Sequence, residues 1–151
     1  MSTAAHRVLV IANETVESDL LRRVIATEAR VDGAAVLVVA PALNSRLAHW
    51  ASASDGARRG AEERLARCLD LLAAEGVSAE GYVGDADPLL AIEDGLRLFA
   101  PHEIVIATHP EGRSNWLARD LVARARRRFD RPVVHVVVDA ARGREYVREA
   151  A

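Results

Sequence analysis

Four short runs of aliphatic and β-branched residues recur along the chain, each too apolar to be a strand with one wet face. They are Arg7 to Asn13 (RVLVIAN), Ala34 to Ala40 (AAVLVVA), His102 to Thr108 (HEIVIAT) and Val133 to Val138 (VVHVVV). Runs of this kind suit strands buried on both faces, the environment of a parallel sheet covered by helices. A fifth run, Val77 to Val83, is shorter and more polar and predicts a strand at the edge of that sheet.

The intervening segments carry helical spacing. Thr15 is the expected N-cap of a helix over Val16 to Ala29, with Leu20, Leu21, Val24 and Ile25 on its apolar face. Ala61, Leu65, Cys68, Leu69 and Leu72 predict a second helix over Ala57 to Glu75, stopped by Gly76. Asp87 followed by Pro88 reads as a cap and a first helical position, so a third helix runs from Pro88 to about Phe99. Ser114 is expected to cap a fourth from Asn115 to about Phe129, with Trp116, Leu117, Leu121, Val122 and Ala125 facing inward. Pro41 to Gly56 reads as a loop with a short turn of helix, and Ala140 to Ala151 as a charged tail with a frayed helical turn.

Strands alternating with helices in this way predict an α/β fold, a parallel sheet joined by right-handed crossovers. The 151 residues fit one domain spanning 1–151, with its core at about 7–138 and a tail at 139–151.

Composition removes several function classes. All 20 basic residues are Arg, so lysine-dependent phosphate loops, Schiff bases and lysine general bases are excluded, and anion contacts fall to Arg or backbone N–H groups. A net charge of −2 gives no general attraction to nucleic acid or to an anionic membrane. The Arg124, Arg126, Arg127, Arg128 and Arg131 run is explained as a solvated helix end whose cations offset the helix dipole. Cys68 alone can form neither an intrachain disulfide nor a cysteine metal cluster. Met1 to Arg7 lacks the character of a signal peptide and no apolar run reaches membrane-spanning length, which predicts a cytoplasmic protein.

In an open parallel sheet, ligands bind beyond the carboxyl ends of the strands, where the strand order reverses and helix N-termini converge. That rule selects Asn13-Glu14-Thr15, Gly84-Asp85-Ala86-Asp87 and Thr108 to Asn115. In the last segment Gly112 permits close backbone approach, Arg113 supplies a fork of donors, and Ser114 with Asn115 opens a helix, a combination suited to an anion. The same residues also make an ordinary turn and cap. His109, held by Pro110, is a general base, a ligand contact or a solvated loop residue, and His135 is expected inside a strand as a hydrogen-bonded buried or interface histidine. Of the acidic residues Asp85, Asp87, Glu93 and Asp94, only Asp85 is left without a capping or solvated helical role. His6, His49 and His102 show no metal-ligand spacing.

From Val8 to about Val138 the chain resembles the universal stress protein family. The likeness rests on VLVIANET, the long middle helix, VGDADPLLAIEDGL, EIVIATHPEGRSNWL and RPVVHVVV. It implies a three-layer α/β/α sandwich of the Rossmann-like, adenine nucleotide alpha hydrolase type, with a five-stranded parallel sheet in the order 3-2-1-4-5. It also implies a stress-response binding or regulatory module for an adenine nucleotide (ATP, AMP or cyclic AMP) or a small anion. The residues implied at the pocket are Ala12, Asn13, Thr15, Val39, Gly84, Asp85, Thr108, His109, Gly112, Arg113, Ser114 and Asn115.

Asn13 stands where nucleotide-binding members carry an acidic residue. Their phosphate loop runs Gly, two residues, Gly, nine residues, then Gly-Ser or Gly-Thr; here the later positions fall at Arg119-Asp120 or Leu121-Val122. A carboxylate at Asp120 repels a triphosphate. The family likeness further implies a homodimer through the last strand, Val133 to Val138, whose apolar edge would otherwise be a liability. A nucleotide-free interaction protein of the same family is the alternative. A hydrolase or nucleotidyl transferase ranks last, because Asn13-Glu14-Thr15 lacks the two-histidine and Ser-Gly-Gly signatures of such enzymes.

Overall fold

The computed structural model describes residues 6–12, 16, 18–29, 34–41, 51–84, 87–108, 115–139 and 144–150. Their elements in chain order are β1 (Arg7–Ile11), α1 (Asp19–Glu28), β2 (Ala35–Pro41), α2 (Ala51–Ala74), β3 (Ala79–Gly84), α3 (Pro88–Phe99), β4 (Glu103–Thr108), α4 (Asn115–Arg128), β5 (Val133–Asp139) and β6 (Arg144–Ala150). One sheet has the order β3-β2-β1-β4-β5-β6. The first five strands are mutually parallel, as expected, and β3 lies at an edge.

Alternation along the strands divides the core in two. Val8, Val10, Val36, Val38, Val105, Val134 and Val136 face α1 and α2, against Leu21, Ile25, Leu65, Cys68 and Leu72. Leu9, Ile11, Leu37, Val39, Ile104, Ile106 and Val133 face α3 and α4, against Ala91, Ile92, Val122, Ala125 and Phe129. Burial of both faces explains why these strands read as unbroken apolar runs, and each fully buried Leu or Ile contributes roughly 1.5–3 kcal/mol. Gly95 lets α3 lie close to β1, since a Cβ there would stand 2.9 Å from Leu9 Cδ1.

Helix ends follow the local chemistry. Asp87 caps α3 by accepting from Leu89 N–H at 2.9 Å, with Pro88 in the first turn. Gly76, at φ 81°, closes α2 in a Schellman turn: Val77 N–H donates to Leu72 O at 2.9 Å and Gly76 N–H to Ala73 O at 3.0 Å.

Five sequence expectations are corrected. The cap of α1 is Ser18, whose Oγ accepts from Leu21 N–H at 3.1 Å, so the helix begins three residues later than expected; Thr15 lies outside the described residues. The segment read as a loop to Gly56 is already helical from Ala51. The tail is a strand, not a helical turn: β6 pairs antiparallel with β5, from Asp139↔Arg144 to Val134↔Ala150. Val133 to Val138 is therefore flanked by β4 and β6 and presents no open edge for a dimer, since a local hairpin has satisfied it within the chain. Finally, Glu93 is not a freely solvated helical residue but pairs with Arg128, joining α3 to α4.

Two more members of the arginine run are also absorbed structurally. Arg126 Nη2 donates to Val133 O at 3.1 Å, and Arg131 Nε to Pro101 O at 2.7 Å. Among the described residues, no helix is long and apolar enough to cross a membrane.

Candidate functional site

The chain leaves β1 for β2 on one side and reaches β4 on the other, so strand order reverses at β1/β4. Parallel connections bring the N-termini of the helices to the carboxyl rim of the sheet, where their unpaired N–H groups and positive dipole ends favour an anion.

The floor of this rim is built from four of the expected residues. Ala12, just beyond β1, is buried and donates its N–H to Val39 O at 3.2 Å. Val39, near the end of β2, is completely buried, and Gly84 closes β3 beside it. A Cβ on Gly84 would stand 2.7 Å from Val39 Cγ1, so only glycine lets the end of β3 approach this closely. Thr108 ends β4, and its Oγ1 lies 2.7 Å from His135 Nε2 in a buried hydrogen bond. That contact joins the carboxyl half of β4 to β5 and bears out the reading of His135 as a satisfied buried histidine.

Asn115 is the first residue of α4. Asn13, Thr15, Asp85, His109, Gly112, Arg113 and Ser114 lie outside the described residues. Cys68 is buried between α2 and the sheet, and burial pushes its thiol up to about 11, which leaves it a packing residue rather than a nucleophile.

A second constellation sits at the opposite, amino rim and was not legible in the spacing. His6 precedes β1, Glu28 ends α1 and Glu103 begins β4, yet one donor atom from each lies within 4.8 Å of the others. His6 Nε2 is 3.0 Å from Glu103 Oε1. The Glu28 carboxyl hydrogen-bonds Glu103; that contact, with burial and the repulsion between the two carboxylates, pushes Glu28 up to about 7, while His6 pulls it down. His6 stacks on His102, with ring centroids 5.5 Å apart and planes 15° from parallel. His102 Nδ1 in turn accepts from Arg7 N–H at 3.0 Å. The available signals were a carboxylate heading an otherwise apolar strand and another closing a helix, where it opposes the dipole.

No protein-family model matches the chain, and no curated protein sequence matches it. Solved structures do. A universal stress protein from Archaeoglobus fulgidus is 23% identical with a TM-score of 0.63, covering 86% of this chain and 92% of its own. A universal stress protein family protein from Burkholderia pseudomallei is 15% identical with a TM-score of 0.60, covering 89% and 98%. A third from Arabidopsis thaliana, solved with AMP bound, is 12% identical with a TM-score of 0.52, covering 91% and 94%. With its five parallel strands in the order 3-2-1-4-5 and helices on both faces, the chain has the universal stress protein fold.

Proposed function

We propose that the chain is a universal stress protein-like regulatory module that binds an adenine nucleotide at the carboxyl rim, with AMP preferred over ATP. The observation that carries this reading is the switch point between β1 and β4, bordered by the close Gly84–Val39 approach and by helix N-termini. An AMP-bound protein of the same fold supports the ligand class. Val39 would floor the base, Asn13 would meet the ribose, and Arg113 with Ser114 would hold the phosphate. The absence of lysine and the carboxylate of Asp120 favour a ligand with one phosphate over one with three.

Calorimetric titration with AMP, ATP and cyclic AMP tests this. A binding isotherm with AMP tightest is expected, and heats no larger than dilution for all three would overturn the reading. Homodimerisation belongs to the same proposal, but a dimer made by extending the sheet at this side pairs through β6, the terminal strand. Sedimentation that shows only monomer across a hundredfold concentration range would remove it.

A further inference from the structure

We infer that His6, Glu28 and Glu103 form a second site, for one divalent transition-metal ion, at the amino rim of the sheet. Strands of this length put it roughly 17–20 Å from the nucleotide rim, so it does not depend on the nucleotide reading.

The donor set comes first. One imidazole nitrogen and two carboxylates converge from three separate elements, with a donor atom of each inside a 4.8 Å span. Ligands on a tetrahedral zinc, at about 2.0–2.2 Å from the metal, stand roughly 3.3 Å from one another. The 3.0 Å between His6 Nε2 and Glu103 Oε1 is close to that spacing, and a Glu28 carboxylate oxygen stands within 4.8 Å of both donor atoms. A nitrogen donor with two oxygens suits zinc or cobalt better than calcium or magnesium, which take oxygen shells.

Electrostatics points the same way. Glu103 is buried, and buried carboxylates are paired or metal-bound. Glu28 touches it from the C-terminal end of α1, where the helix dipole is already negative. The last turns of α3 and α4 answer that dipole with Arg97 and with Arg126, Arg127 and Arg128; those of α1 and α2 hold no basic residue, and of these two only α1 ends on a carboxylate, Glu28. A cation between the two carboxylates relieves their mutual repulsion and the dipole at once.

The support and the access are both present. Stacking on His102, itself fixed by Arg7 N–H, sets the plane of the His6 ring and leaves Nε2 directed at Glu103. The His6 side chain is 30% exposed against 11% for Glu103, so the ion enters from the His6 side and water completes its shell. Bound there, it would tie β1, α1 and β4 together.

The test uses the tag-free full chain with Zn²⁺ and Co²⁺ as probes. Calorimetry should give one Zn²⁺ per chain, Tm should rise by about 5–10 °C at 100 times Kd, and Co²⁺ should develop visible ligand-field absorption. Glu28→Gln and His6→Ala should each weaken Zn²⁺ binding at least tenfold. AMP titrations of Glu28→Gln should match the wild type, and its metal-free melt should show a folded chain. An unchanged wild-type melt without a Co²⁺ band would overturn the site. So would Zn²⁺ affinity in both variants equal to that of the wild type, which would place the ion elsewhere.

Discussion

The two rims of the sheet are built on opposite principles. At the carboxyl rim the helices begin, and the described floor of Ala12, Val39, Gly84 and Thr108 is apolar or internally bonded. At the amino rim α1, α3 and α4 end, and charged side chains gather: Arg97 on α3, three arginines on α4, and the His6, Glu28 and Glu103 trio beside α1. Parallel topology forces this asymmetry, because every helix points its positive end the same way. An anion at the first rim would meet backbone N–H groups as well as side chains, whereas a cation at the second would be held by side chains alone. Backbone sites follow from topology, whereas side-chain sites need particular residues.

Gly84→Val probes the first rim most severely. Its first side-chain carbon would meet Val39 Cγ1 at 2.7 Å, and we expect a loss of about 2–3 kcal/mol of stability with at least tenfold weaker AMP binding. Denaturant melts and calorimetry check both, while Zn²⁺ affinity at the far rim should stay within twofold. Equal losses at both rims would show that they are not independent.

Thr108→Val leaves the His135 imidazole without this bond in a buried position and should cost about 2 kcal/mol, with Thr108→Ser retaining most of it. A Thr108→Val melt matching the wild type would mean that the contact contributes nothing.

The amino rim predicts a pH dependence of the metal-free chain. Glu28 is raised from 4.5 to about 7, so the folded state holds the proton more tightly than the unfolded one, with Glu103 and His6 as the groups facing it. Its contribution is present at low pH and is lost as pH rises from about 4.5 through about 7. Discounted for solvent screening, the difference between pH 5 and pH 8 is on the order of 1 kcal/mol. Glu28→Gln should remove that component from paired melts, and an identical pH slope in the variant would count against it.

The smallest effect is at Ala100, which ends α3 at φ 47°, a left-handed conformation that L side chains resist. Ala100→Gly should gain about 0.5–1 kcal/mol in chemical denaturation. A loss of stability would show that the side chain makes contacts outweighing the strain.

Periodicity made most of the fold legible. The apolar runs at Val8, Val36, Ile104 and Val133 are buried on both faces as they read, and Asp87-Pro88 and Gly76 mark helix ends where the chain does end or begin them. Misreadings came where local signals compete. Thr15 and Ser18 are both acceptable caps, and the charged tail has helical composition but finds a sheet edge to pair with. At the candidate pocket, Ala12, Val39, Gly84 and Thr108 could be assigned because strand ends are sequence-local. The amino-rim trio could not, since Glu28 on α1 and Glu103 on β4 meet only in the folded chain.

By itself the sequence determined the alternation of buried strands and amphipathic helices, and with it the rim where an anion would bind. These depend on neighbours within a few residues: side-chain periodicity, capping oxygens and glycine or proline breaks. Only the tertiary structure decided that β6 seals the edge of β5 and that His6, Glu28 and Glu103 share a few ångströms. The reason is that strand pairing and helix docking join residues up to 97 positions apart, as between His6 and Glu103, and no local pattern records such a contact.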